Sequence, residues 1–430
     1  MHPAFFRVVV LCLGLVSPAV YASQLTLTLD DVLERGFDNS LDLQKNLIDL
    51  SSAEYSADRL WSELFPGISG SLGVSYGSPL LSGGGFELDR DRAGYSTSLG
   101  VNLSLNAGIP YAMRNIRLAY QTRLLNYEDA RNQLGIQLTK SFFGLITDRD
   151  NLTVLGDLLN LAQLQYERAQ VAFRNGLIRE LDLMQSRLSL ENVRYNLNYA
   201  RSSYNSRLSD FLVQLGIPYN ADVALEGAIA ISRVEIESER LILENLPRRP
   251  DILSRRQEIE RLENAEKQNA YANRAPSIRL EAQWSSANFN PFNDNLRGSA
   301  TLNIPIDPWV PGSARGQSIS NARHAVEKAR LDLQEAENAA MLQVRSLAAN
   351  LDNAWDTIEI ARLGLAIAQR SFELAEQGFR SGTVESLRLE DAQNDLANAR
   401  QRLLRSELAY LTMILDICAA LNISWKDLMP

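Results

Sequence analysis

Phe173-Arg174-Asn175-Gly176-Leu177, with Leu181 and Leu183 behind it, is written a second time as Phe379-Arg380-Ser381-Gly382-Thr383 with Leu387 and Leu389. Phe379 follows Phe173 by 206 residues, and Gly382 follows Gly176 by the same interval. Each copy interrupts a long heptad-patterned run with a glycine. Glycine enters the left-handed conformation that ends a helix at little cost. A new apolar run then begins, so each copy reads as the tip of a helical hairpin.

The runs entering the tips share one register. Apolar or small residues fall at Leu152, Leu155, Leu159, Ala162, Tyr166, Ala169 and Phe173, and again at Ile358, Ala361, Leu365, Ala368, Phe372, Ala375 and Phe379. Steps of three and four alternate, and that 3.5-residue period keeps one seam facing a partner helix in a left-handed coiled coil. A repeat of about 200 residues far exceeds a solenoid unit, so the chain reads as two related halves. From about Gly108 to Arg174, and from about Ser313 to Arg380, roughly 65 residues are compatible with helix, on the order of 100 Å at 1.5 Å each.

Ahead of each long helix the period changes to two. Ile68, Gly70, Leu72, Val74 and Tyr76 alternate with Ser69, Ser71, Gly73 and Ser75, and Tyr95, Thr97, Leu99, Val101, Leu103 and Leu105 alternate with Ser96, Ser98, Gly100, Asn102 and Ser104. In the second half Ile278, Leu280, Ala282 and Trp284 alternate with Ser277, Arg279, Glu281, Gln283 and Ser285. Leu296 to Ile306 alternates with Arg297, Ser299, Thr301, Asn303 and Pro305. Strands are expected at about 67–77, 94–106, 277–287 and 296–306. Each spans about 10 to 12 residues, close to what a tilted membrane strand needs. Arg279, Glu281 and Arg297 would be costly against lipid, so their face is expected to look into water and the Leu, Ile and Trp face outward. Four strands cannot close a barrel, since the smallest bacterial barrels have about eight. Several chains must then pool them. The bland alternative is a soluble sheet packed on a helix.

A helix is expected from Leu29 to about Leu64, capped by Thr28 or Asp30 and stopped by Pro66-Gly67, and another from about Arg249 to Asn273. The division is therefore 23–217 for the first repeat with its tip at 174–182, 218–247 for an irregular linker around the helical body, 248–424 for the second repeat with its tip at 380–388, and a tail at 425–430. Residues 1–22 read as a secretory signal: Arg7, the apolar run Val8 to Val16, and a cleavage site after Ala22. That run is shorter than the ~20 residues a spanning helix needs.

The chain has 430 residues, a formal net charge of −9 and 45% hydrophobic residues. Mean hydropathy is −0.17. These values argue against a polytopic helical membrane protein, and the acid excess against a nucleic-acid partner. Beyond the signal, Cys418 is the lone cysteine and His324 the lone histidine. A histidine cluster for metal or acid-base chemistry, a phosphate loop and a nucleophile elbow are all missing from the sequence. The reading is a non-enzyme without metal or cofactor.

With these motifs in place the chain resembles the TolC family of outer membrane efflux and secretion channels. The resemblance implies an α+β membrane protein in the cell outer membrane: a homotrimer whose four strands per chain build a 12-stranded β-barrel, continued by a periplasmic α-helical coiled-coil tunnel. It implies a passive exit duct of a tripartite efflux or type I secretion system, working with a periplasmic adaptor protein and an inner-membrane transporter. The adaptor role falls on Asn175, Gly176, Leu177, Ser381, Gly382 and Thr383. By the same resemblance Asp182 and Asp391 match pore aspartates, while Phe379, Val384 and Arg388 stand where the family has Tyr, Arg and a second Asp. Two donors that would brace a closed state are thus missing. Arg388 is expected to pair instead with Asp182 or Asp391, giving a pore mouth less selective for cations. A reading from another class is a secreted periplasmic coiled-coil scaffold without a pore.

Overall fold

A computed structural model describes residues 25–76, 93–287 and 293–423. The expected signal at 1–22, the tail at 425–430 and most of the loops at 78–93 and 288–295 lie outside them. The first element is a short strand, β1 (Leu25–Leu27), which the sequence reading did not anticipate. Helix α1 (Leu29–Asn39) starts on a reciprocal cap: Asp31 N–H donates to Thr28 Oγ1 at 3.3 Å, and Thr28 N–H donates to Asp31 Oδ2 at 2.9 Å. The single helix expected to run to Leu64 is broken at Ser40. That hydroxyl accepts from Leu43 N–H at 3.3 Å and starts α2 (Leu41–Asp58), because a serine side chain competes for backbone donors and favours a cap over a helix interior. A 3-10 turn, Leu60–Leu64, follows.

Strands β2 (Gly67–Tyr76) and β3 (Ala93–Leu105) lead into α3 (Ile109–Arg174), an unbroken helix of 66 residues with Pro110 in its first turn, where a missing N–H costs nothing. Helix α4 (Glu180–Gln214) returns from the first tip. The linker expected to be irregular carries a strand, β4 (Val223–Leu225), and a helix, α5 (Ser238–Asn245). The second half repeats the order as α6 (Pro250–Arg274), β5 (Ser277–Ala287), β6 (Asn293–Asn303), α7 (Ala314–Arg380, 67 residues) and α8 (Ser386–Leu421).

Packing repeats as well. One buried cluster gathers Leu138, Leu145, Phe211, Leu212 and Leu215; the other gathers Val344, Leu351, Ile417, Cys418 and Leu421, each 206 residues after its counterpart. Gly216 and Asn422, also 206 apart, both hold positive φ, 70° and 54°, where α4 and α8 end. The linker ties the clusters together. β4 pairs in parallel with β1 over the first, and Ile231, Val234 and Ile242 pack on the second. There the buried Tyr410 hydroxyl accepts from Val234 N–H at 2.9 Å and donates to Ser232 O at 3.2 Å. Deleting buried side chains of this size costs about 3 to 5 kcal/mol, so these two knots fix the waist of the molecule.

Along the lower body α3 packs on both α4 and α8, and α7 packs on α8. The helices therefore stand side by side in the order α4, α3, α8, α7. On the predicted seam Ile358, Ala361 and Ala368 are buried as the register requires, while Leu365 is only partly covered.

Candidate functional site: the sheet and the helical tips

The four long strands form one antiparallel sheet in the order β2, β3, β5, β6. The register aligns like with like. Ile68 faces Val101, Leu99 faces Trp284 and Trp284 faces Leu296 on one surface, while Ser71 faces Ser98, Asn102 faces Glu281 and Gln283 faces Arg297 on the other. Strand pleating makes this an all-or-none outcome, because a slip of one residue would move every apolar side chain to the opposite face. No helix covers the apolar surface among the described residues: Leu72 and Val74 are each 78% exposed. The alternative in which the apolar face packs on a helix of the same chain is thus not what the described residues show.

The fourth strand ends at Asn303, not at the expected 306. Pro305 has no N–H to give to a ladder, and Ile306 already starts a 3-10 turn, Asp307–Trp309. β2 and β6 are the outer strands, so each carries one row of backbone groups with no neighbour inside the chain.

At the first tip Gly176 sits at φ 70°, and the helix closes with Leu177 N–H on Ala172 O at 2.9 Å. At the second, Gly382 sits at φ 75°, with Thr383 N–H on Gly378 O at 2.8 Å. Gly176 and Gly382 each have open space where a Cβ would stand. Their need for glycine is conformational, not steric.

Asp182 accepts from the Arg179 backbone N–H at 3.1 Å and from its Nε at 3.4 Å. Those hydrogen bonds, the backbone one foremost, hold its carboxyl below the usual carboxylate range. Asp182 and Arg388 are not brought together: the aspartate is taken by Arg179, and Arg388 makes no ion pair among the described residues. The expected Arg388 pairing, to Asp182 or to Asp391, is therefore replaced within the chain by an Arg179–Asp182 pair. Phe379 and Val384 are partly covered, while Arg388 and Asp391 are exposed. Among the predicted tip residues, Asn175, Gly176, Leu177, Ser381, Gly382 and Thr383 are exposed.

Two exposed apolar stripes lie outside the seam expected from the heptads. α4 exposes Leu181, Met184, Leu188, Tyr195 and Tyr199, and α7 exposes Ile360, Leu363, Ile367 and Leu374, each side chain more than half open to solvent. Their steps of three, four and seven mark a second coiled-coil face on each of the two outer helices of the row. The signal was present in the heptads and was masked by the stronger buried seam.

A four-stranded sheet with one polar and one uncovered apolar face, open at both edges and continued by helices of 66 and 67 residues, defines an α+β class with a two-faced sheet at one end of a long helical body. Residues 32–212 and 241–422 match the family model described as outer membrane efflux protein. The chain belongs to that family. It resides in the outer membrane, with its helical body on the periplasmic side. It is 22% identical over 315 residues to the outer membrane protein TolC of Vibrio cholerae, covering 70% of this chain and 71% of that protein. Among solved structures it is similar to the Campylobacter jejuni CmeC outer membrane channel, with TM-score 0.73, 18% identity, and coverage of 91% of this chain and 85% of that one. The Neisseria gonorrhoeae MtrE outer membrane channel in its open state gives TM-score 0.70 and 15% identity, covering 92% and 89%. At such identities these structures speak for the fold.

Proposed function

We propose that the protein is the passive exit duct of a tripartite export assembly, serving either efflux of small molecules or type I secretion of proteins. Three copies pool their strands into one 12-stranded barrel and their helices into one tunnel. The observation that carries this reading is the four-stranded sheet with one apolar face and two open edges. Each backbone group left unpaired in hydrocarbon costs several kcal/mol, so in lipid β6 of one copy must meet β2 of the next. The stripes on α4 and α7 support the same closure, because the row α4, α3, α8, α7 leaves these two helices to face each other between copies.

On this reading Asp182, Phe379, Val384, Arg388 and Asp391 border the periplasmic mouth. Asn175, Gly176, Leu177, Ser381, Gly382 and Thr383 present the tips to a periplasmic adaptor, which couples the duct to an inner-membrane transporter. The chain itself brings no phosphate loop, so the energy comes from that partner. The test is purification from outer membranes followed by planar-bilayer recording. A detergent-requiring trimer that passes single-channel current is expected; a monodisperse single chain in plain buffer, giving no current, overturns the reading.

A further inference from the structure

A cleft of about 510 Å³ lies where the second half meets the foot of the sheet. Its wall is one face of α6, with Lys267, Ala270, Tyr271 and Arg274, and its rim is Trp309. The Arg274 guanidinium carbon stands 5.0 Å from the centre of the Trp309 ring, a cation–π contact. Tyr271 is fixed by stacking on Tyr111, ring centres 5.1 Å apart.

The charges around the cleft are unequally matched. Glu266, also in its wall, is engaged by Arg323 at 3.4 Å, Glu263 by Arg330 at 2.6 Å and Asp307 by Arg315 at 3.0 Å. Lys267 and Arg274 have no carboxylate partner among the described residues. They sit two helical turns apart with Tyr271 between them, about 10 Å along the axis, a span that two long side chains can close on one anion.

The level of the cleft says what that anion belongs to. The chain leaving β6 exposes Ile304, Ile306, Trp309 and Val310, which extends the apolar surface of the sheet down to the cleft. Trp61 and Phe65 are exposed at the foot of β2. Aromatic side chains collect where hydrocarbon gives way to headgroups, with their ring bodies in the apolar layer and their polar edges in the wet one. Two unpaired cations beside such a tryptophan face the layer in which lipid phosphates lie.

We propose that Lys267, Tyr271, Arg274 and Trp309 form a binding site for the phosphate of an anionic phospholipid headgroup in the leaflet nearer the helices. Lys267 and Arg274 bind the phosphate, while Trp309 packs along the glycerol and upper acyl chain. This inference rests on the reading that the sheet spans lipid.

The test is calorimetric titration of the full-length protein, purified in uncharged detergent, with a short-chain phosphatidylglycerol, with the matching phosphatidylcholine, and with inorganic phosphate. Phosphatidylglycerol is expected to bind most tightly. The Lys267→Gln/Arg274→Gln double variant should weaken it about 30-fold, from roughly 1 kcal/mol per basic residue near an anionic surface. The charge-keeping Lys267→Arg/Arg274→Lys variant should stay close to wild type, which separates loss of charge from loss of fold. Equal phosphatidylglycerol affinity in the double Gln variant overturns the site. Inorganic phosphate binding as tightly as the lipid overturns its assignment to a headgroup. Wild-type protein that conducts but shows no lipid preference removes this site alone, whereas failure to conduct removes the duct reading beneath it.

Discussion

The two tips bend the backbone in the same way and secure it differently. In each, a glycine at positive φ ends the incoming helix, and the same six-residue hydrogen bond closes the turn, from Leu177 to Ala172 and from Thr383 to Gly378. Around that shared turn the chemistry diverges. The first tip starts its outgoing helix with Arg179 and Asp182 clasped together, and Glu180 and Asp182 place negative charge at the positive end of the α4 dipole. The positions 206 residues later are Glu385 and Arg388, the same signs exchanged, and the first turn of α8 has no acidic residue. The second tip compensates with a knot on one carbonyl: Gly378 O accepts from Thr383 N–H, Val384 N–H, Ser381 Oγ and Thr383 Oγ1 at 2.8 to 3.2 Å. One turn is held by charge, the other by close packing and hydroxyls. Duplicated halves can thus keep a backbone while each copy finds its own way of holding it.

The largest expected effect tests the packed tip. A Cβ on Gly378 would stand 2.5 Å from Val384 Cγ2, so Gly378→Val should destabilise the second hairpin by about 2 to 3 kcal/mol through overpacking. Ala172→Val, at the matching place in the first tip, should cost a few tenths, as a helix-propensity change. Amide hydrogen exchange of the two tips reads both, and equal effects would break the contrast. Next in size, Gly176→Ala and Gly382→Ala should each cost about 1 to 2 kcal/mol, because both glycines hold left-handed φ in open space. A clear inequality between them would show that the turns are not equivalent after all.

Smaller still, Arg388→Asp should stabilise the second tip by about 0.3 to 1 kcal/mol by putting an acid at the head of α8. The same variant in a planar bilayer should raise cation selectivity if Arg388 borders the pore. Unchanged tip protection and unchanged selectivity would leave that residue no role at either level.

The smallest effect is with pH. The folded carboxyl of Asp182 is held below its ordinary value, so its contribution is fully present above the unfolded pKa, about 3.9, and is lost as pH falls through the folded one. Protection at the first tip should therefore fall on acidification below about pH 4, with no matching carboxylate loss from position 388 of the second. Asp182→Asn should remove that dependence.

What the sequence made legible is what a period enforces. Two-residue alternation placed Leu99, Trp284 and Leu296 on one face and Asn102, Glu281 and Arg297 on the other, since the pleat leaves no other choice. Heptads placed Ile358, Ala361 and Ala368 in the seam, and glycine marked each tip. Features that depend on one or two residues were hidden. β1 is three residues long, Ser40 breaks a helix whose heptads run on regardless, and Pro305 cuts β6 short inside an unbroken alternation. The Arg179–Asp182 clasp became visible only with the halves in register, because it is the exchange of signs at 385 and 388 that singles it out. The cleft at the foot of the sheet draws Tyr271 and Trp309 from positions 38 residues apart, which no local pattern reports.

The unbroken course of α7 has a mechanical corollary. Ile358 is buried in the waist, and 22 residues of unbroken helix separate it from Arg380, about 33 Å of lever arm at 1.5 Å per residue. A rod pinned there and tilted by about 10° would sweep its far end through roughly 6 Å, more than the diameter of a water molecule. In the proposed duct, the bore at the far end would then be governed by leverage about the waist, with the tip turns themselves free to stay rigid.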